Sequence, residues 1–423
     1  MNRLIGWLLM TSVLSTPVWA APLTLEEALA TVGAPHPDRM AAESELALAR
    51  ADRDQADSRQ DFNLYLEGAL RTGRRPDDDW KPDNVARIVA RKPLFDFGRS
   101  AQAIAAADQE IEARQATLVN VGNLRRVDIM ARYFDVLLAD MQYAADNEMM
   151  AVTYVSWDNA RKRFEVGQIS KPELLRLEAA YQDVRERRHA SQQRMSSTRQ
   201  KLTHAMNRPG QLPSDLSEPV LPGNARPLPD YDSLLAWAIQ KNPGILALRA
   251  QIEAAGARAA AARAGHNPML EAEVAGGGYG RASSTRDELS AGLVFSIPLY
   301  QGGRVDARVA RELAKKERVA AELEQLKRDL AEALYAGLQE VSWLRNSGRA
   351  AADTQIELKD WMLERARAEY ELELKTNLGA SMAETQLAQL RRKQVEYRLA
   401  LALARLEALS GGSLPPVEGA KNE

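Results

Sequence analysis

The chain contains no cysteine. That excludes a disulfide framework, thiolate metal ligands, a cysteine nucleophile and a cysteine-linked lipid anchor. Aromatic residues are only 6% of a chain rich in Ala, Leu, Glu, Arg and Gln, a composition of long helices more than of a large globular core. Net charge is also small: 56 Lys+Arg against 58 Asp+Glu leave −2 over 423 residues. Nucleic-acid binding through bulk charge needs a basic surface, so no nucleic-acid partner is expected. The four histidines, His36, His189, His204 and His266, form no His-Glu-x-x-His pair, so no metal site is expected. Gly276-Gly277-Gly278-Tyr279-Gly280 has no Lys-Ser/Thr behind it and reads as a flexible outer loop, not a phosphate cradle. Asp77-Asp78-Asp79 lacks the alternation of a calcium loop. No catalytic residues stand out, no cofactor is expected, and the chain does not read as an enzyme.

The first residues run positive, apolar, then small: Arg3, Leu4 to Leu14, and Pro17-Val18-Trp19-Ala20-Ala21. This is the order of a secretory signal peptide, expected to span residues 1–20. No later window holds a long uncharged apolar run, so no transmembrane helix is expected.

What the chain does hold is one unit written twice. Pro93-Leu94-Phe95-Asp96-Phe97-Gly98-Arg99 returns as Pro298-Leu299-Tyr300-Gln301-Gly302-Gly303-Arg304, at a spacing of 205. Ala160-Arg161-Lys162-Arg163-Phe164-Glu165 matches Ala366-Arg367-Ala368-Glu369-Tyr370-Glu371 at 206. Six prolines between Asn207 and Asp230 suit an extended connector. The expected division is therefore 21–206, a connector 207–230, 231–410, and a flexible tail 411–423.

Each copy reads in one order. A helix opens it (Leu25 to Asp61, broken near Pro35 and Pro37; Tyr231 to Ala264, with Pro243). Two strand-like stretches follow, Phe62 to Leu70 and Val85 to Leu94 in the first copy, Met269 to Ala275 and Leu289 to Ile297 in the second. Arg71 to Asn84 and Gly276 to Asp287 read as loops. After each Gly-Arg comes a proline-free helical stretch, Arg99 to Val166 and Arg304 to about Leu374, long enough for roughly 100 Å. A short break and a second helix follow, Pro172 to Met206 and Ala380 to Leu409. Leu174, Leu177, Tyr181, Val184, Arg188, Ser191, Met195, Thr198, Leu202 and Ala205 step by threes and fours. Ala383, Leu387, Leu390, Gln394, Tyr397, Leu401, Ala404 and Ala408 repeat that register. Such stripes mean paired helices with a narrow seam.

Strands of about nine to eleven residues match a membrane β-strand. An open sheet in lipid leaves backbone groups unpaired at several kcal/mol each, so it must close. Four strands are too few, since known barrels begin at about eight. On the membrane reading several copies must share one barrel, two giving eight strands and three giving twelve; the alternative is a soluble β-layer capping the coiled coils. Lipid-facing side chains are expected from Leu289, Ala291, Leu293, Phe295 and Ile297, or else from the opposite face.

The duplicated order of helix, strand pair, Pro-Leu-aromatic-x-x-Gly-Arg, long helix, hairpin break and second helix resembles the TolC-like outer-membrane efflux protein family. Leu23-Thr24-Leu25-Glu26-Glu27-Ala28-Leu29 is similar to that family's mature start, and Pro298 to Arg304 to its strand-to-helix junction. Arg163 to Ser170 is similar to its first periplasmic tip. The resemblance implies a mainly α fold with a small β part: a coiled-coil helical barrel plus four strands per chain in a shared 12-stranded trimeric transmembrane β-barrel. It implies an exit duct in the outer membrane that extends into the periplasm, docked through a periplasmic adaptor protein to an inner-membrane pump or ABC transporter. The tips expected to meet the adaptor are Val166, Gly167, Gln168, Ile169 and Ser170, with Leu374, Lys375, Thr376, Asn377, Leu378 and Gly379. Glu373 stands where the first tip has Gly167, and no Asp occupies that break. Arg163, Glu165, Glu371 and Glu373, near the breaks, are the gating candidates. The competing reading is a periplasmic coiled-coil adaptor, which usually carries one hairpin where this chain has two.

Overall fold

A computed structural model describes residues 22–74, 79–210, 215–280, 287–372 and 378–416. The signal-peptide expectation, Asp77 and Asp78 of the acidic run, and Glu373, Leu374, Lys375, Thr376 and Asn377 of the second tip lie outside the described residues. The first half contains α1 (Leu25–Ala30), α2 (Pro37–Ser58), β1 (Asn63–Ala69), β2 (Thr72–Gly73), β3 (Lys81–Pro82), β4 (Val85–Phe95), α3 (Arg99–Glu165) and α4 (Lys171–Ala205). The second contains α5 (Tyr231–Lys241), α6 (Pro243–Arg263), β5 (Met269–Tyr279), β6 (Leu289–Ser296), α7 (Arg304–Trp343), α8 (Arg349–Glu371) and α9 (Leu378–Leu409). Among the described residues, no helix is long and apolar enough to cross a membrane.

The long helices follow from local chemistry. α3 runs 67 residues without a proline and reaches roughly 100 Å at 1.5 Å per residue. It starts where Gly98 takes a left-handed φ of 87° and the Asp96 carboxylate accepts from the Ser100 amide at 2.7 Å, satisfying an orphan donor of the first turn. The matching corner before α7 uses Gly302 and Gly303, at φ 61° and 71°. The second long helix is not continuous. A π-turn at Leu344–Gly348 divides α7 from α8; there the Arg345 guanidinium donates to the Asn224 and Arg226 carbonyls of the connector.

The four long strands form one antiparallel sheet in the order β1-β4-β5-β6. Two loop expectations are corrected. Gly276 to Tyr279 continue β5, paired to β4 through Tyr279↔Val85, and Thr72–Gly73 pairs with Lys81–Pro82 inside the first loop. Glycine carries no strand propensity of its own, so the pairing comes from the neighbouring strand and not from the segment.

Two apolar clusters hold the helices near the middle of the molecule. One gathers Leu234, Ile245, Leu334, Leu344, Leu399 and Leu406; the other gathers Ile129, Tyr133, Phe134, Leu202 and Tyr397. α9 belongs to both, and the Phe134 and Tyr397 rings stack at 4.5 Å across the two halves. The α4 stripe is inward as expected, with Leu174, Val184, Ser191, Thr198, Leu202 and Ala205 buried. On α9 the single stripe fails: Leu387 and Gln394 are exposed while Thr385, Ala388, Leu399 and Leu403 are buried. This helix packs against α3 on one side and α7 and α8 on the other, so two faces are covered. The start of the tail is anchored as far as Leu414, which packs on the first cluster. The Trp237 indole donates to the Ser413 carbonyl at 3.1 Å, and a Cβ on Gly411 would meet the Lys241 carbonyl at 2.4 Å.

Candidate functional site

The register of the sheet settles which face is apolar. Paired residues share a face. Leu289, Ala291, Leu293 and Phe295 of β6 pair with Gly276, Val274, Ala272 and Leu270 of β5. Across β4 the same face continues through Ile88 and Ala90 to Leu66 and Leu64 of β1. Most of these large side chains are exposed, Leu293 by 67% and Leu66 by 76%. The opposite face is polar and charged. Arg87 donates to Glu67 at 2.7 Å and Arg91 to Glu273 at 2.5 Å, each directly across its strand pair. Arg91 also lies over the Tyr65 ring at 5.7 Å. One face suits lipid and the other water, as in a closed membrane barrel. Sequence reasoning missed these ion pairs. The available signal was that Arg87 and Arg91, four apart, must fall on one side of a strand.

The sheet is open at both sides, with β1 and β6 as edges. Because its strand number is even and every pairing is antiparallel, the outer edge of β6 runs antiparallel to the outer edge of a second copy's β1. Closure between copies therefore continues the same ladder.

At the far end of the molecule lie the helical hairpins. In the first tip Gly167 turns the chain at φ 76°. Its amide donates to the Phe164 carbonyl, and that of Gln168 to the Arg163 carbonyl, at 2.9 and 2.8 Å, closing the end of α3. Ser170 caps α4, its hydroxyl accepting from the Glu173 amide at 3.4 Å. Val166, Gly167, Gln168 and Ser170 are exposed and Ile169 half-buried. Of the second tip, Leu378 and Gly379 belong to α9 and not to the break, a correction. Gly379 is a packing position: a Cβ there would stand 2.6 Å from Val152 Cγ2 on α3.

Of the gating candidates, Glu165 lies 4.0 Å from Arg161 of its own helix. Arg163 and Glu371 are exposed and form no ion pair within the described part of the chain. Nearby carboxylates are held within their own helices. Lys162 keeps Asp158 below the usual carboxylate range, and Arg176 does the same for Glu173.

The two descending helices differ in length below this level. α3 runs thirteen residues past Val152 to Glu165. α8 is held beside α9 by Lys359–Glu384 and ends twelve residues past Lys359. Measured from the Val152–Gly379 contact, α3 extends about 9 Å farther than α8.

Among the described residues no cluster of three or more metal-ligating side chains occurs. The family model for outer membrane efflux proteins matches residues 234–412. The chain is 22% identical over 310 residues to the outer membrane efflux protein BepC of Brucella suis, covering 71% of this chain and 66%, just under two thirds, of that protein. It is 23% identical over 368 residues to the proteases secretion protein PrtF of Dickeya chrysanthemi, covering 77% and 72%. Its fold matches the crystal structure of the outer membrane protein VceC of Vibrio cholerae with TM-score 0.70 at 19% identity, over 92% of this chain and 96% of that one. With a sheet built for closure at one end and paired helical hairpins at the other, the chain has the fold of these outer membrane channels and is similar in sequence, over its second half above all, to outer membrane efflux proteins.

Proposed function

We propose that three copies of this chain close one 12-stranded barrel in the outer membrane and act as the passive exit duct of a tripartite exporter. The observation that carries this reading is the four-stranded antiparallel sheet with one apolar face, one face of paired charges, and two open edges. Three such sheets give twelve strands, and the charged face then lines a water-filled lumen. The helices below continue the passage into the periplasm. Gly167 and its neighbours form the adaptor-contacting tip, and an inner-membrane pump or ABC transporter supplies the energy. Arg163 and Glu371, unpaired among the described residues, are available to clamp neighbouring helices in the closed state. The roles named for the two relatives, efflux and protease secretion, are compatible with small-molecule or polypeptide cargo. Two hairpins joined to a closable sheet favour a duct over an adaptor.

The test is fractionation followed by mass measurement and planar-bilayer recording. The expected result is detergent-dependent extraction with the outer membrane, a mass of three copies and discrete conductance steps. A stable water-soluble monomer would overturn the proposal.

A further inference from the structure

The helices below the middle of the molecule form a single layer. α3 packs on α4 along one side and on α9 along the other, and α9 carries α8, so α4 and α8 are the free margins. The margin of α8 is unusual for a face left to solvent: Leu358, Trp361 and Leu372 are 55%, 70% and 70% exposed. Beside them runs an acidic row, Asp353, Glu357, Asp360 and Glu364, which lines one shallow groove together with Trp361.

The matching surface lies on α4. Heights along the layer follow from contacts. Arg188 of α4 donates to Asn147 of α3 at 3.3 Å. Five residues further down α3, Val152 meets Gly379 of α9; five residues up α9, Glu384 binds Lys359 of α8 at 2.7 Å. Arg188 and Lys359 therefore share one height, and His189 and Asp360, each one residue on in opposite directions, lie about 3 Å apart along the axis. α8 and α4 run in opposite directions. Turning about 100° per residue from each inward stripe brings Asp360 and Glu364 of α8, and Arg185 and His189 of α4, to the same side of the layer. Rotation about an axis parallel to the helices preserves both height and side. Among the described residues His189 and Asp360 have no hydrogen-bond or ion-pair partner. Arg185 reaches only Gln182 of its own helix, at 3.5 Å, and Glu364 is held only by Arg367 three residues on.

We propose that the α8 margin of one copy docks on the α4 margin of a second copy of this chain. Arg185 and His189 face Glu364 and Asp360 across the seam, and Trp361 is buried between them and Glu186. The proposal rests on the three-copy duct and names how neighbouring copies recognise each other well above the tips.

The cysteine-free chain permits a clean test. His189→Cys and Asp360→Cys combined, both at exposed positions, should link most of the purified protein into dimers and trimers under mild oxidation. Gln168→Cys with Asp360→Cys, about 30 Å apart in height, should not. Trimers by native mass that yield no link in the first variant would overturn the seam alone, as would a link to a different protein. A monomeric parent chain would overturn the duct and the seam together. Independently, Glu364→Arg should reduce the trimer's resistance to detergent heating and Arg185→Glu should restore it. Loss without restoration would also overturn the pairing.

Discussion

Gly379 of α9 lies so close to Val152 of α3 that a single added carbon would stand 2.6 Å from the valine methyl. Real Cβ atoms essentially never show such a distance, so with any side chain at 379 either Val152 or the second hairpin must shift. Overpacking of this kind typically costs about 1–3 kcal/mol. Gly379→Val is expected to lower the thermal midpoint and to widen the periplasmic end, raising single-channel conductance. Unchanged conductance in planar bilayers would show that the two hairpins separate freely at this level.

The two faces of β6 make a paired prediction. Leu293 shares the apolar face with Ala272, whereas Val294 shares the charged face with Glu271. Leu293→Arg should impair membrane insertion, at about 2–4 kcal/mol for a mid-membrane site, and Val294→Arg should be tolerated. Equal yields of outer-membrane protein from both variants would contradict the assignment of faces.

Gly167 adopts φ 76° with nothing within 4 Å of its would-be Cβ. The objection to a side chain here is therefore conformational and not steric crowding, about 1–2 kcal/mol for an L-residue in the left-handed region. Gly167→Val should distort only the tip: copies should still assemble in the outer membrane while export fails. Export at the parental rate would remove this tip from adaptor contact.

Glu396 supplies a pH dependence. Arg349, with both nitrogens at 2.7 Å, holds its carboxylate below the usual range, and Asn224 adds a further hydrogen bond. Since the folded-state pKa is lowered, the stabilisation is present above the unfolded carboxylate value of about 4.3. It is lost as pH falls through the folded value. Thermal melts between pH 3 and 6 should show an acid limb that Glu396→Gln flattens, at the cost of lower stability near pH 7. An identical acid limb in the variant would exclude Glu396 as its source.

Much of this architecture was legible in the residues. Absence of proline across 99–165 and a three-four stripe from Leu174 to Ala205 were enough for the first hairpin, because both are properties of one helix and its nearest partner. The Gly276 to Tyr279 extension of β5 was not. It is held by β4, almost two hundred residues away, and Gly277 lies where a Cβ would meet the Ala86 carbonyl at 2.5 Å. The apolar side of the sheet was also hidden, since either parity of β6 reads as plausible until Leu293 is seen opposite Ala272 and Arg87 opposite Glu67. At the tips, Leu378 and Gly379 were read as part of a break. Their helical role depends on Val152, in a helix more than two hundred residues earlier. The charges Arg163 and Glu371 were found by proximity to the breaks, and among the described residues neither has an ion-pair partner.

An even number of strands per chain has a last consequence. Because the first and last strands of each sheet run in opposite senses, the ladder joining copies has the same antiparallel form as the ladders inside one. Two, three or four sheets would satisfy the hydrogen bonds equally, so the strands do not count. On the proposed seam, stoichiometry is decided where angles between copies are fixed, along the margins of α4 and α8. Chains shortened through both hairpins should form barrels of mixed size, and those with the helices intact a single one.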